Sequence, residues 1–195
     1  HCERKKGSVM TLLVCGLLLF TVVHLVPSLA PGLKAAWLGR LGENGYKGTF
    51  SLLLVASLLL IVFGWRSAAP EFIYQPPAGL HVPALALIVL GFLLFVVSNR
   101  RSRLRQLVRH PQLTGVFLWG VAHLMLNGDN RSLLLFSGLA LWAIIEIIAI
   151  NRRDGAWIKG EAPGWGTEIV TLVITGVVIG VVVWAHPWLS GRPVW

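Results

Sequence analysis

Arg109-His110-Pro111-Gln112 opens the stretch that decides the fold. It runs directly into Leu113-Thr114-Gly115-Val116-Phe117-Leu118-Trp119-Gly120-Val121-Ala122-His123-Leu124-Met125-Leu126 and meets Asn127-Gly128-Asp129. A proline at the first helical position needs no N–H partner, and Asn-Gly-Asp is a stop signal. One helix is therefore expected from Pro111 to about Asn127. The run between holds no Asp, Glu, Lys or Arg, so it reads as a membrane-grade helix and not as the half-polar helix of a soluble domain. It is short for a bilayer, but the arginines before it are long enough to snorkel.

The rest of the chain agrees. Of 195 residues, 55% are hydrophobic and 13% are charged, about half the charged share of a soluble domain. Mean hydropathy is +0.73. Five further apolar runs occur, at 10–29, 49–65, 81–98, 132–150 and 167–184. The expectation is an all-α, polytopic membrane helix bundle with about six transmembrane helices. It forms one domain at 10–195, because no polar stretch is long enough to bury its own core. Residues 1–9 read as a disordered tag or upstream extension. Residues 31–48 read as a loop carrying a short interfacial amphipathic helix around Leu33, Trp37 and Leu38. Residues 69–79 and 151–166 read as loops, and 187–195 as an interfacial tail.

The formal charge is +9. In a soluble protein that would point to nucleic acid, but here the basic residues sit in short segments between apolar runs. They therefore set topology and meet anionic lipid, and no nucleic-acid partner is expected. Eleven of the 17 Lys and Arg follow the first, third and fifth runs, including Arg100, Arg101, Arg103, Arg105 and Arg109. The positive-inside rule puts that side in the cytoplasm and both termini in the periplasm of a bacterial inner membrane. Cys2 and Cys15 give no disulfide framework.

Ionisable groups inside spans are costly and so become functional candidates. His24, His123, Glu146 and, at a boundary, His110 qualify. A neutral histidine at depth can simply hydrogen-bond to a neighbouring helix. Two deep histidines on different helices raise the alternative of axial ligation of a haem iron between facing helices. Gly120, one turn before His123, would leave room for a flat macrocycle. Trp119 and Asn127 flank His123 on the same face, and Arg109 or Arg105 could meet propionates. His110 and His123 are 13 residues apart, about 20 Å along one helix, and cannot share a metal. The topology puts His24 towards the cytoplasmic end of its helix and His123 towards the outer end of its own. A first helix that continued past Pro27 towards Trp37 would level them; otherwise His24 and His110 match better in depth. Glu146 reads as paired, and His81 and His186 as helix-end residues. Metalloprotease, c-type haem, phosphate-loop and serine-hydrolase motifs do not occur.

Several of these residues also form a pattern. Val23-His24 is followed by Leu41-Gly42-Glu43-x-x-Tyr46-Lys47. Arg109-His110-Pro111-Gln112-x-x-Gly115 is followed by Trp119-x-x-Ala122-His123 and Asn127-Gly128, then by Asn151-Arg152-Arg153 and Ala185-His186-Pro187. In these the chain resembles the NnrU family of bacterial membrane proteins and, more distantly, plant zeta-carotene isomerase. The resemblance implies haem b (heme b), with His24 and His123 as axial iron ligands, and a haem-dependent cis–trans isomerase or redox role. It also implies an apolar polyene substrate or a redox partner, and a link to nitrite and nitric oxide metabolism in denitrification. The isomerase has a cysteine where this chain has Gly120, and a histidine pair where it has Trp142 and Ala143. Arg-His-Pro also resembles the start of the cofactor region in membrane S-adenosylmethionine-dependent methyltransferases. Those follow it with paired glutamates and tyrosines, and here Glu161 stands alone. A cofactor-free accessory or assembly factor is the third reading.

Overall fold

A computed structural model describes residues 2–191, with side chains from Met10 onward. The reading of residues 1–9 as a disordered extension concerns positions whose side chains lie outside the described residues, as do residues 192–195. Six helices follow one another: α1 Cys2–Leu29, α2 Pro31–Ser67, α3 His81–Ser98, α4 Pro111–Leu126, α5 Asn130–Asp154 and α6 Trp165–Ser190. Five are long and apolar enough to cross a membrane. The exception is α4, whose 16 residues span about 24 Å against a hydrocarbon core of about 30 Å. The expected polytopic helix bundle is present.

Three boundaries differ from expectation, each for a local reason. The segment 31–48 is helical, not a loop. Pro31 starts α2, the charged residues that suggested a loop are good helix formers, and Lys47 pairs with Glu43 at 2.6 Å one turn apart. One break interrupts it at Gly42, with φ +67 and ψ 176, backbone that only glycine adopts without strain. Helix α5 overruns its expected end because Arg152 and Arg153 favour a helix C-terminus, and it stops only at Gly155, φ +65. Helix α6 carries Pro187 inside it and ends at Gly191, so the expected tail begins as helix. The first helix passes Pro27 but stops at Leu29 and does not reach Trp37.

The helices fall into two compact units, His1–Glu71 and Phe72–Trp195. In the first, α1 packs on α2 through glycines. A Cβ on Gly64 would lie 2.5 Å from the Leu13 amide nitrogen, and one on Gly16 2.8 Å from that of Ile61. Apolar side chains gain little by leaving lipid for one another, so close backbone approach supplies the packing energy. In the second unit, α4 lies between α3 and α5, and α6 leans on α3. Gly91 and Gly115 face each other across α3 and α4, where either Cβ would approach the other residue's carbonyl within 3.1 Å. The outward side of α6 leaves Ile169, Leu172, Val173, Val177 and Val181 exposed, as a lipid-facing helix would.

Candidate functional site

The structure builds around the candidate histidines in three places. In the first unit, His24 is half-buried near the end of α1. Its Nδ1 bonds the Phe20 carbonyl one turn back at 2.9 Å. A carbonyl only accepts, so Nδ1 carries a proton, and in the neutral ring the lone pair belongs to Nε2. The Phe20 ring lies 4.2 Å from the imidazole, and Phe50 meets it edge-on at 5.9 Å. Phe50 belongs to a wider aromatic group. The break at Gly42 folds 31–41 back on the rest of α2, so Trp37 donates to Thr49 Oγ1 at 3.0 Å. Trp37 also meets Tyr46 edge-on at 5.0 Å. The Val23-His24 and Gly42-Glu43-x-x-Tyr46 stretches, 18 or more residues apart in sequence, thus reach one aromatic cluster.

In the second unit, His123 occupies the last turn of α4, towards the helix end where the sequence places it. Its Nδ1 donates to the Trp119 carbonyl at 2.8 Å, the same back-bond and the same tautomer as His24. Its ring lies 4.5 Å from Trp119 and 4.4 Å from Phe136 on α5. Gly120 lies on this turn, but it does not leave a gap. A Cβ there would stand 2.8 Å from the Phe136 carbonyl and 3.2 Å from the Ala140 Cβ, so α5 fills the room expected for a macrocycle. Trp142 and Ala143 are buried on α5, as is Glu146 at 7% exposure.

The end of α4 is strapped down. Asn127 caps it, with its amide nitrogen and its Nδ2 both donating to the His123 carbonyl, at 2.9 and 3.0 Å. The segment after α2 crosses here. Tyr74 Oη donates to the carbonyls of Leu124 and Asn127, and the amides of Ile73 and Tyr74 donate to the Gly128 carbonyl at 2.8 and 3.0 Å. Burial raises the Tyr74 phenol above its ordinary range, and the nearby Asp129 carboxylate adds to the rise. Asp129 caps α5 by accepting from the Ser132 amide at 2.9 Å, and lies 3.7 Å from the buried Arg131.

The third place is the opposite end of α4. His110 Nε2 bonds Asn151 Oδ1 at 2.9 Å, and Arg109 donates to the Gly155 carbonyl at 2.8 Å. Arg109-His110-Pro111 and Asn151-Arg152-Arg153 therefore form one corner between α4 and α5. That corner is a helix length from His123, so Arg109 and His110 are not brought to it. The arginine-rich segment ahead of this corner docks on α6. Glu168 accepts from Ser102 Oγ at 2.9 Å and from the Arg103 amide at 2.7 Å.

Sequence reasoning missed Phe136, Tyr74, Asp129 and Glu168. Glu168 left a signal, as an acidic residue in the first turn of a span that lies near the arginines. Tyr74 left none, because a loop tyrosine carries no mark of the carbonyls 50 residues on that it caps. Among the described residues, no group of three or more His, Cys, Asp or Glu is placed to hold a metal ion.

No curated protein matches the chain, and no solved structure does. A family model described as "NnrU protein" matches residues 12–194.

Proposed function

The chain belongs to the NnrU family, and from that footing we propose that it is a b-type haem protein of the bacterial inner membrane. In this reading His24 and His123 would hold its iron. One observation carries it. Each of these histidines commits Nδ1 to the carbonyl one turn back, which in a neutral imidazole places the lone pair on Nε2, and each lies against aromatic rings. That is how proteins orient a metal-binding imidazole, since the second nitrogen's hydrogen bond sets tautomer and ring direction. Imidazole nitrogen suits iron. When bound, such an iron would supply one-electron redox chemistry.

The chain's own residues do the rest. Phe20, Phe50, Trp119 and Phe136 shield the two imidazoles. Asn127 and Tyr74 hold the turn that carries His123. Arg109 and His110, tied to α5, serve as anchors of the bundle and not as neighbours of His123. The role we assign is redox or isomerase-like, on an apolar substrate or with a redox partner, in nitrite and nitric oxide metabolism. The arginine-rich segment faces the cytoplasm in this reading.

The test is the absorption spectrum of detergent-purified protein from haem-replete cells, as isolated and after dithionite. A Soret band with sharp α and β bands on reduction is expected, lost in His24→Ala and in His123→Ala and kept in His110→Ala. Protein without haem, or with haem insensitive to both substitutions, refutes the assignment.

A further inference from the structure

The second unit holds a cleft of about 310 Å³ that the haem reading does not use. It is lined by Leu93 of α3, by Arg103, Leu104 and Leu107 of the arginine-rich segment, and by Trp165, Glu168, Thr171 and Leu172 around the start of α6. Its walls are largely apolar, and Arg103 and Glu168 are the charged side chains among them. Trp165 is 70% exposed, Leu107 75% and Leu172 59%, so the cleft opens where apolar side chains lack cover. It lies where α3 ends and α6 begins, and both are helices long enough to cross a bilayer. That is the level where hydrocarbon gives way to headgroups.

Arg103 decides the chemistry. Its guanidinium lies over the Trp165 ring, 4.4 Å from the centroid, and its Nε is buried with no hydrogen-bond partner among the described residues. A buried donor left unsatisfied is costly, and more so on a charged group. Glu168, the acid beside it, already accepts from Ser102 Oγ and from the Arg103 amide. Arg101 and Arg105 are exposed on the same segment. The complement is an anion attached to an apolar chain.

We propose that this cleft binds one anionic phospholipid of the surrounding bilayer. An acyl chain lies along Leu93, Leu104, Leu107 and Leu172, and the phosphate meets the Arg103 guanidinium. Arginine offers planar, paired donors that match a phosphate, and Trp165 stands at the depth where indole rings favour the interface. The proposal is independent of the haem.

Native mass spectrometry of the full chain, released from detergent with a short titration of lipid, tests it. Phosphatidylglycerol should remain bound at concentrations where phosphatidylcholine does not. Arg103→Gln should weaken phosphatidylglycerol binding about fivefold, one near-surface arginine's share. Arg66→Gln, in the first unit, should leave it unchanged. Millimolar inorganic phosphate should not displace the lipid. Equal retention of the two lipids, an unchanged Arg103→Gln, or displacement by phosphate alone each overturns the proposal; the last would make the site one for a free anion. Should Arg103→Gln fail to fold, Leu107→Glu places a carboxylate in the cleft at an exposed position. It should abolish phosphatidylglycerol binding, and retention there refutes the site equally.

Discussion

Gly120→Ala separates a glycine that makes room from a glycine that is merely present. The added methyl would stand 2.8 Å from the Phe136 carbonyl oxygen and 3.2 Å from the Ala140 Cβ. The carbonyl is helix backbone and cannot rotate aside, so α4 and α5 must separate. Overpacking of this kind costs about 1–3 kcal/mol. Against it, alanine gains about 0.8–1 kcal/mol over glycine inside a helix. The net expected loss is about 1 kcal/mol. Gly176→Ala supplies the control, because a Cβ at Gly176 meets nothing within 4 Å and keeps the gain without the clash. The propensity term is common to both variants, so the difference between them is the clash itself. At about 2–4 °C per kcal/mol for a chain of this size, Gly120→Ala should melt several degrees below Gly176→Ala. Tryptophan fluorescence in one detergent, with the two variants side by side, measures it. Gly120→Ala melting at or above Gly176→Ala would show that α5 leaves room for a methyl group at 120. The same geometry bears on chemistry, because any side chain at 120, a thiol included, requires wider spacing between α4 and α5.

Three further outcomes are expected. A double-mutant cycle of His110→Ala and Asn151→Ala should give a coupling of about 0.5–1.5 kcal/mol for their hydrogen bond, and additive losses would remove that corner. The Tyr74 phenol, raised by burial and then by Asp129, binds its proton more tightly folded than unfolded. Its contribution is therefore complete below the ordinary value of about 10 and is lost as pH rises through the higher folded value. With Tyr46→Phe leaving Tyr74 as the single tyrosine, phenolate absorbance should rise at higher pH than in free tyrosine; a midpoint at or below that of the free amino acid contradicts it. Glu168→Ala releases Ser102 Oγ and the Arg103 amide, so trypsin should cut the 100–105 segment several-fold faster by mass spectrometry, and an unchanged rate would mean that Glu168 does not hold it.

What the sequence shows depends on whether a residue acts locally. Helix α3 is bounded by His81 and Ser98, as its apolar run indicates, and α4 begins at Pro111 because proline needs no N–H there. The segment 31–48 misleads because charge density resembles a loop, whereas the one real break is the positive φ at Gly42. His24 and His123 are visible as ionisable residues in apolar runs, and each is oriented by its own helix. Phe136 is not visible in this way, because its contribution is to close His123 from a different helix. Gly120 is the instructive case. From sequence a small residue below a candidate ligand means space, but only the position of α5 reveals that the space is already used.

Of the described histidines, only His24 and His123 have an aromatic residue four positions earlier, Phe20 and Trp119. Those are also the residues whose carbonyls hold Nδ1. One turn of helix therefore does two things at each place: its backbone fixes the imidazole's tautomer, and its side chain covers an imidazole face. His110 has Gln106 at that spacing and bonds Asn151 through Nε2 instead. Within one chain, His24 and His123 are thus tied through Nδ1 to their own helices, whereas His110 reaches through Nε2 to a neighbouring helix.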